Sequence, residues 1–176
     1  MNDRAPAPGG LALVQALVNT LDIESGADSL DTPEGLARFG LAADEAEGAR
    51  ELRESLRAVC LAHAGHPAHR RTTPLGELLA RAPLRVALDE DGAARLVPAT
   101  EETFPASRPA SPAPLASRVA AAIAGSLVEG TWARLKACEA PTCHWAYYDR
   151  SPAGRGRWCS MAVCGARAKM RRYRAK

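Results

Sequence analysis

Four of the five cysteines in this 176-residue chain fall within one 27-residue stretch. They form two pairs, Cys138-x4-Cys143 and Cys159-x4-Cys164, with fifteen residues between the pairs. In a reducing cytosol, clustered thiols are more often metal ligands than disulfides. Four thiolates fill every position around a tetrahedral zinc ion and leave none for water or substrate. The spacing therefore predicts one structural Zn²⁺ held by all four cysteines, with two disulfides or four unrelated thiols as the alternatives.

The segment that carries these cysteines, residues 136–176, is too short to bury a self-sufficient hydrophobic core. Zinc ligation contributes on the order of 10–16 kcal/mol in comparable peptides, which is enough to order such a segment. Because 47 % of the whole chain is hydrophobic, residues 1–135 can form a core of their own. We therefore predict two domains that meet between residues 135 and 136.

Charge is distributed unevenly along the chain. From residue 138 onward there are nine basic and two acidic side chains, a net charge of +7, whereas the other 137 residues carry 14 basic and 18 acidic ones. One end of the chain is therefore suited to polyanions. No apolar run approaches the roughly 20 residues of a membrane-spanning helix, and the first residues do not resemble a signal peptide. We expect a cytoplasmic protein with no membrane partner.

Apolar residues at helical spacing predict a mainly α-helical first domain. Helices are predicted to begin near Leu11, Pro33, Asp44, Leu75 and Leu115 and to end near Leu21, Gly40, His63, Ala82 and Val128. In the third helix, Leu56 and Cys60 lie on an apolar side, while charged residues that include Arg53, Glu54 and Arg57 fill the other sides. Cys60 is most simply a core residue, with a reactive thiol as the minor alternative.

Two segments of the first domain depart from the helical pattern. Alternating residues at 84–88, an acidic turn at 89–92 and an apolar pair at 96–97 together predict a small β-hairpin. Residues 105–114, PASRPASPAP, form a proline-rich connector that cannot be helical. The expected fold class is therefore mainly α with one small β-hairpin in the first domain, followed by a four-cysteine zinc finger that consists of a β-hairpin and a basic α-helix.

Three histidines in the stretch HAGHPAH, residues 63–69, superficially suggest a second metal site. Gly65 and Pro67 interrupt the helix that would align them, so we interpret them as a solvent-exposed helix end. His144 follows Cys143 and could replace a thiolate, but four cysteines already suffice. The sequence shows no glycine-rich phosphate loop, no Ser-His-Asp order and no pair of carboxylates in a catalytic setting, so we do not expect an enzyme.

The residues between the two cysteine pairs predict a short hairpin. Residues 145–148 form its first arm, Gly154 and Gly156 permit a reversal, and residues 157–158 return toward the third cysteine. The aromatic rings of this segment most simply pack over the metal site and the final helix. An exposed ring could instead stack on a base.

The residues after Cys164 predict a helix, 165–176, in which Ala166, Met170 and Tyr173 share one face. Basic residues on its flanks could contact phosphates on both sides of a nucleic-acid groove. Together with two arginines of the preceding loop, the candidate contacts are Arg155, Arg157, Arg167, Lys169, Arg171, Arg172, Arg174 and Lys176. A solvated basic tail that binds nothing specific is the alternative.

The stretch CEAPTCHWAYYDRSPAGRGRWCSMAVCGARAK resembles the CGNR zinc finger of bacterial proteins of the ABATE type. Residues 11–22, LALVQALVNTLD, and 80–85, ARAPLR, resemble two other segments of the same family. The resemblance implies a helical N-terminal domain joined to a C-terminal finger, in a stress-induced transcriptional regulator. Ala166 stands where the finger's name motif has Asn, and Val14 stands where the opening motif usually has an acidic residue.

These observations combine into one hypothesis. The zinc finger binds DNA, and the helical domain senses a small-molecule effector or forms a homodimer. A single short finger offers little base readout, so sequence specificity would need a dimer or a second contact surface. A zinc-dependent protein-interaction or RNA-binding module is the alternative, and an enzyme with a site in the helical domain is the third candidate.

Overall fold

The computed structural model describes residues 5–99 and 113–175 of the chain. The predicted connector lies outside these ranges except for its last two residues, Ala113 and Pro114, and Lys176 also lies outside them. The helices are α1 (Leu11–Val18), α2 (Pro33–Ala37), α3 (Ala46–His63), α4 (Leu75–Leu79), α5 (Leu115–Val128) and α6 (Ala166–Arg174). The strands are β1 (Leu84–Leu88), β2 (Ala94–Pro98), β3 (Leu135–Ala137) and β4 (Ala146–Tyr148).

The fold is mainly α-helical with two small antiparallel hairpins and a cysteine cluster near its C-terminal end, which confirms the predicted fold class. Short 3₁₀ turns connect several elements, at Ser29–Asp31, Ala43–Glu45 and Trp132–Arg134, and a π turn at Met161–Gly165 leads into α6. None of the helices in the described ranges has the length and apolar character needed to cross a membrane.

Capping side chains mark where α2 and the 3₁₀ turn Ala43–Glu45, which leads into α3, begin. Oγ1 of Thr32 accepts a hydrogen bond from the backbone N–H of Gly35 at 3.1 Å, and Pro33 occupies the first helical position. Before α3, the carboxylate of Glu45 accepts a hydrogen bond from the backbone N–H of Ala42 at 2.8 Å. Both contacts satisfy backbone donors that lack a partner within the helix.

The hydrophobic core lies where α1 packs against both α3 and α5, and where β3 packs against α3. Fully buried residues from these elements are Val14, Leu56, Cys60, Val119 and Leu135. Burial raises the pKa of the Cys60 thiol to about 12, so Cys60 is a core residue as predicted. The approach of α1 to α5 requires a glycine at position 10, because a Cβ there would lie 2.8 Å from the Cβ of Ala122.

The charged side of α3 differs from the prediction. Arg53, Glu54 and Arg57 are only 3 %, 2 % and 0 % exposed. The Glu54 carboxylate accepts hydrogen bonds from Nε of Arg53 at 2.7 Å and from Nε of Arg57 at 3.2 Å, and Nη1 of Arg53 lies 2.6 Å from a carboxylate oxygen of Asp28. Charged groups can be buried here because each one has an oppositely charged partner.

The ionisation of Glu54 follows from the same network. Burial by itself would raise its pKa, but a hydrogen bond from His69 and the charges of Arg57 and Arg53 lower the pKa to about 2. Glu54 therefore remains a carboxylate at neutral pH and holds both arginines in place.

One hairpin agrees with the prediction and the other does not. β1 pairs with β2 as predicted, with Val86 opposite Leu96. In the C-terminal segment, β4 pairs with β3 rather than with residues 157–158, so the hairpin encloses the first cysteine pair. Residues 157–158 form no strand. β3 is only three residues long, which is too short to show a periodic pattern in the sequence.

Candidate metal centre and basic surface

The four predicted zinc ligands lie where the C-terminal elements begin and end. Cys138 directly follows β3, Cys143 lies in the loop before β4, and Cys164 lies in the π turn before α6. Between the first two cysteines, the N–H groups of Cys143 and His144 donate to the carbonyl oxygen of Ala140 at 2.9 and 3.2 Å. His144 has a φ of 44°, in the left-handed region, and this conformation reverses the chain direction.

The four sulfur atoms converge on one point. All four Sγ atoms lie within 4.8 Å of one another, and Sγ of Cys159 lies 3.6 Å from that of Cys143 and 3.7 Å from that of Cys164. Zn–S bonds of about 2.3 Å in a tetrahedron place the sulfurs about 3.8 Å apart. A disulfide needs about 2.05 Å. The arrangement is therefore consistent with one structural zinc ion.

A cation is needed to ionise these thiols. Burial, followed by the charges of Cys138 and Cys159, raises the pKa of Cys164 to about 12. A protonated thiol is a poor ligand, whereas Zn²⁺ removes the proton and binds the thiolate. Four thiolates complete the tetrahedron and leave no open position for a substrate, so the metal has a structural role.

Aromatic rings cover the metal centre. Tyr147 is 1 % exposed, and Trp145 and Trp158 are partly buried against the cysteines, as predicted. Tyr148 packs instead against the main core. Trp158 lies beside the start of the final helix, since a Cβ at Gly165 would be 3.3 Å from its Cδ1, and the packing of rings over the rest of that helix stays a prediction.

A buried ion pair holds the loop between the two cysteine pairs. Nζ of Lys136 lies 2.9 Å from Oδ2 of Asp149, and that carboxylate also accepts hydrogen bonds from the backbone N–H groups of Ser151 at 3.0 Å and Gly156 at 2.6 Å. Burial would raise the pKa of Asp149, but these hydrogen bonds hold it well below its usual range. A Cβ at Gly156 would lie 2.9 Å from Cγ of Asp149, so the loop requires glycine there.

Side chains of the helical part of the chain, which we call the body, form hydrogen bonds with the segment that carries the four cysteines, which we call the finger. Nη1 of Arg57, in α3, donates to the carbonyl oxygen of His144 at 3.1 Å. Nδ2 of Asn19 donates to the carbonyl oxygen of Ala146 at 2.9 Å, and its Oδ1 accepts from the N–H of Ala146 at 2.7 Å. The side-chain amide of Asn19 thus pairs with the edge of β4. The division of the chain at residue 135 stays a prediction.

Asn19→Ala is expected to lower the free energy of unfolding by about 1–3 kcal/mol, because the buried N–H of Ala146 loses its acceptor. Urea denaturation of the zinc-loaded protein, followed by circular dichroism, measures this change. Ser25→Ala is the control, since the Ser25 hydroxyl accepts only an exposed backbone bond and its loss should change stability by less than about 0.5 kcal/mol. Equal stability of the two variants would contradict the role of Asn19.

The histidines of residues 63–69 are not the solvent-exposed helix end that the sequence predicts. Nδ1 of His63 lies 2.8 Å from the carbonyl oxygen of Leu135, and Nε2 of His69 lies 2.8 Å from the Glu54 carboxylate. Within the described ranges, the four cysteines are the only group whose ligand atoms approach closely enough to hold a metal ion. His63 therefore contacts β3 and His69 belongs to the charge network of α3, while His66 lies 3.6 Å from Glu139 of the finger.

The predicted nucleic-acid contacts divide into groups with different surroundings. Those that lie exposed on α6 and make no ion pair with any described residue are Lys169, Arg171, Arg172 and Arg174. Arg167, also on α6, forms an ion pair with Glu24 in which Nη1 donates to both carboxylate oxygens, at 2.9 and 3.0 Å. Arg157 pairs with Glu139, and Arg155 is exposed in the loop. The part of the chain that the structure describes thus leaves four α6 cations available to a partner.

No sequence signal identifies Asn19 or Arg57 as residues that hold the finger. Asn19 directly follows an apolar helix, where it looks like a helix-ending residue, and Arg57 is one of several charged residues in α3. Both act on backbone atoms more than 80 residues away in the chain. Only the tertiary structure could reveal these contacts.

Two family models match the chain. Residues 11–130 match the ABATE model, which is described as "Putative stress-induced transcription regulator", and residues 134–176 match the CGNR zinc finger. The first match covers more than half of the chain, and both agree with the resemblance seen in the sequence. The curated proteins contain no match to this chain.

Proposed function

The chain belongs to the ABATE family and carries a CGNR zinc finger, and from this premise we propose that it is a transcription regulator whose helix α6 binds DNA. The family description supports a regulator, and the cysteine cluster supports a finger ordered by zinc. DNA binding itself, and the contact residues Arg155, Arg157, Arg167, Lys169, Arg171, Arg172, Arg174 and Lys176, are part of the proposal.

The observation that carries the proposal is the charge and exposure of α6. Five of its nine residues are basic, and none of the nine is buried. The helix begins two residues after Cys164, so a zinc ligand holds its first turn in place. Basic side chains on a fixed helix can neutralise phosphates and release the counterions of DNA, which is the main source of affinity in such complexes.

Replacing Arg171 and Arg172 together with Ala is expected to weaken binding to duplex DNA and to flatten its salt dependence. Each lost phosphate contact lowers the slope of log K against log salt by about 0.9, so the double variant should lose about 1.8. Fluorescence anisotropy with a labelled duplex at several salt concentrations measures both quantities.

Arg85→Ala combined with Arg95→Ala is the matched control. These exposed arginines lie in the β1–β2 hairpin, so the control removes the same charge from the body instead of from the finger. We expect its salt slope to equal that of the wild type. An unchanged slope in the Arg171/Arg172 variant would remove α6 from the mechanism.

We assign the helical body a sensing or dimerising role, as a homodimer or as the receptor of a small-molecule effector. The hydrogen bonds from Asn19 and Arg57 to the finger support this role, because a change in the body would move backbone atoms next to the zinc ligands. The family description names a regulator and not an enzyme. A cytoplasmic location accords with this function.

A protein or RNA partner is the second candidate. Met170 and Tyr173 are 51 % and 77 % exposed and lie three residues apart on α6, so together they offer an apolar contact surface to a partner. Competition among duplex DNA, single-stranded RNA and heparin for the labelled duplex separates the candidates. Stronger competition by RNA than by unlabelled duplex would favour the RNA-binding module.

A further inference from the structure

A groove runs between α6 and the loop that precedes the third cysteine, and we call it the basic groove. It encloses about 600 Å³. The charged and aromatic residues that line it are Glu139, Arg157, Trp158, Lys169, Arg171 and Arg172. Four cations thus face one carboxylate, and the groove as a whole attracts an anionic chain.

Both walls of the basic groove are held by the metal centre. Trp158 directly precedes Cys159 on one wall, and Gly165 directly follows Cys164 at the base of the other. Lys169 and Arg172 are three residues apart on α6, so they point to the same side of the helix. Cations that are already in position lose less conformational freedom when they bind a partner.

One arginine of the basic groove already binds a carboxylate. Nε and Nη2 of Arg157 donate to the two carboxylate oxygens of Glu139, the first at 2.5 Å. A guanidinium group binds carboxylates and phosphates in the same two-pronged geometry. Glu139 therefore occupies the position on Arg157 that a phosphate group would take.

A second arginine–carboxylate pair lies outside the basic groove and provides a comparison. Arg167 binds Glu24 through both carboxylate oxygens, at 2.9 and 3.0 Å. This pair borders a different cavity, on the side of α6 that faces the body and Trp145. Both pairs join an arginine to a glutamate, but Arg157 donates through two nitrogens and Arg167 through Nη1 alone, and their surroundings differ.

We propose that the basic groove holds the phosphate backbone of one DNA strand and that Glu139 is an internal competitor for Arg157. The inference rests on the proposed function and narrows its phosphate contacts to the four cations that line the basic groove, Arg157, Lys169, Arg171 and Arg172. A phosphate that enters the groove displaces Glu139 from Arg157. Arg167 makes no such contact, because it faces the body.

Glu139→Gln tests the competitor in the zinc-loaded full chain, with a fluorescein-labelled duplex of about 20 base pairs between 50 and 200 mM NaCl. Because Arg157 reaches a phosphate in the wild type only after it leaves Glu139, Glu139→Gln should raise the affinity for the duplex by up to about 5-fold, which corresponds to the loss of one solvent-exposed ion pair. Glu24→Gln is the matched control, since it also removes one carboxylate from an arginine pair. We expect the control to behave like the wild type.

A second pair of variants tests the walls of the basic groove. Lys169→Ala with Arg172→Ala removes two groove cations and should flatten the salt slope by about 1.8. Arg167→Ala with Arg174→Ala removes the same charge from α6 outside the groove and should change the slope by less than half as much. Zinc stoichiometry, measured for every variant, shows whether the metal centre is intact.

The outcomes separate this inference from the proposed function. A wild-type protein that does not bind duplex DNA would overturn the proposed function. If the wild type binds but Glu139→Gln and Glu24→Gln have equal effects, binding follows net charge alone and the groove assignment is wrong. Equal losses in the two double variants would overturn it as well.

Discussion

Replacing Cys159 with Ser is expected to abolish stoichiometric zinc binding and to unfold the segment from Cys138 to α6. Cys159 Sγ lies within 3.7 Å of two other ligand sulfurs, and its loss leaves the zinc ion with three of its four thiolate ligands. Zinc sites of this kind contribute on the order of 10 kcal/mol to the order of comparable segments. Metal content by mass spectrometry and hydrogen exchange of residues 138–174 measure the two effects.

Cys60→Ala is the matched control for that variant. Cys60 is fully buried in the main core, away from the other four cysteines, so its removal should leave one zinc ion per chain. Chelation of the wild-type protein should reproduce the exchange pattern of Cys159→Ser. A Cys159→Ser protein that retains one zinc ion, or chelated protein with unchanged protection, would refute the assignment of a structural metal.

Replacing Arg57 with Ala is expected to lower the free energy of unfolding by about 3–5 kcal/mol. The change leaves the Glu54 carboxylate buried with one fewer positive partner. It also removes the donors to the carbonyl oxygens of Val18 at 2.9 Å and His144 at 3.1 Å. Urea denaturation measures the loss, and release of zinc to a chelator should be faster because His144 adjoins a zinc ligand.

Arg50→Ala is the control on the same helix. Arg50 pairs with Asp31 and Glu47, whose side chains are 64 % and 89 % exposed, and such solvent-exposed pairs contribute less than about 1 kcal/mol. Its loss leaves no buried charge unpaired, because Asp28, 3.6 Å from Arg50, keeps Arg53 at 2.6 Å. We expect the two substitutions to differ in cost by at least about 2 kcal/mol. A cost for Arg57→Ala as small as that for Arg50→Ala would show that the buried network does not stabilise the fold.

The metal centre could be predicted from the sequence because its determinants are local. Two thiol pairs with four intervening residues each can wrap an ion after short chain reversals, and the structure brings all four sulfurs together. The start of α2 was predictable for the same reason, since its capping residue Thr32 acts on a backbone group within one turn.

The burial of charge on α3 could not be predicted from the sequence. Arg53, Glu54 and Arg57 occupy positions that amphipathic periodicity assigns to solvent. They are buried because the segment that holds Asp28 and the turn at His144 pack over that side of the helix. Neither partner lies within one helical turn of α3 in the sequence, so no local pattern indicates them.

The strand pairing of the second hairpin, β3 with β4, also could not be predicted from the sequence. β3 and β4 are three residues each, and the sequence between the cysteine pairs permits a reversal at Gly154 that would have paired residues 145–148 with residues 157–158. Instead, the carboxylate of Asp149 accepts hydrogen bonds from the backbone N–H groups of Ser151 and Gly156 and so holds the loop 151–156 against itself. Side-chain contacts, and not strand propensity, decide the register.

The sequence by itself determined the zinc ligands, most of the helices and the concentration of positive charge after Cys138, because spacing, periodicity and charge are properties of neighbouring residues. Only the tertiary structure decided which cations remain available, since Glu24 binds Arg167 and Glu139 binds Arg157. It also decided that the finger is held against the helical body through Asn19 and Arg57. These contacts join atoms that are distant in the chain, and their formation depends on how the packed core places them.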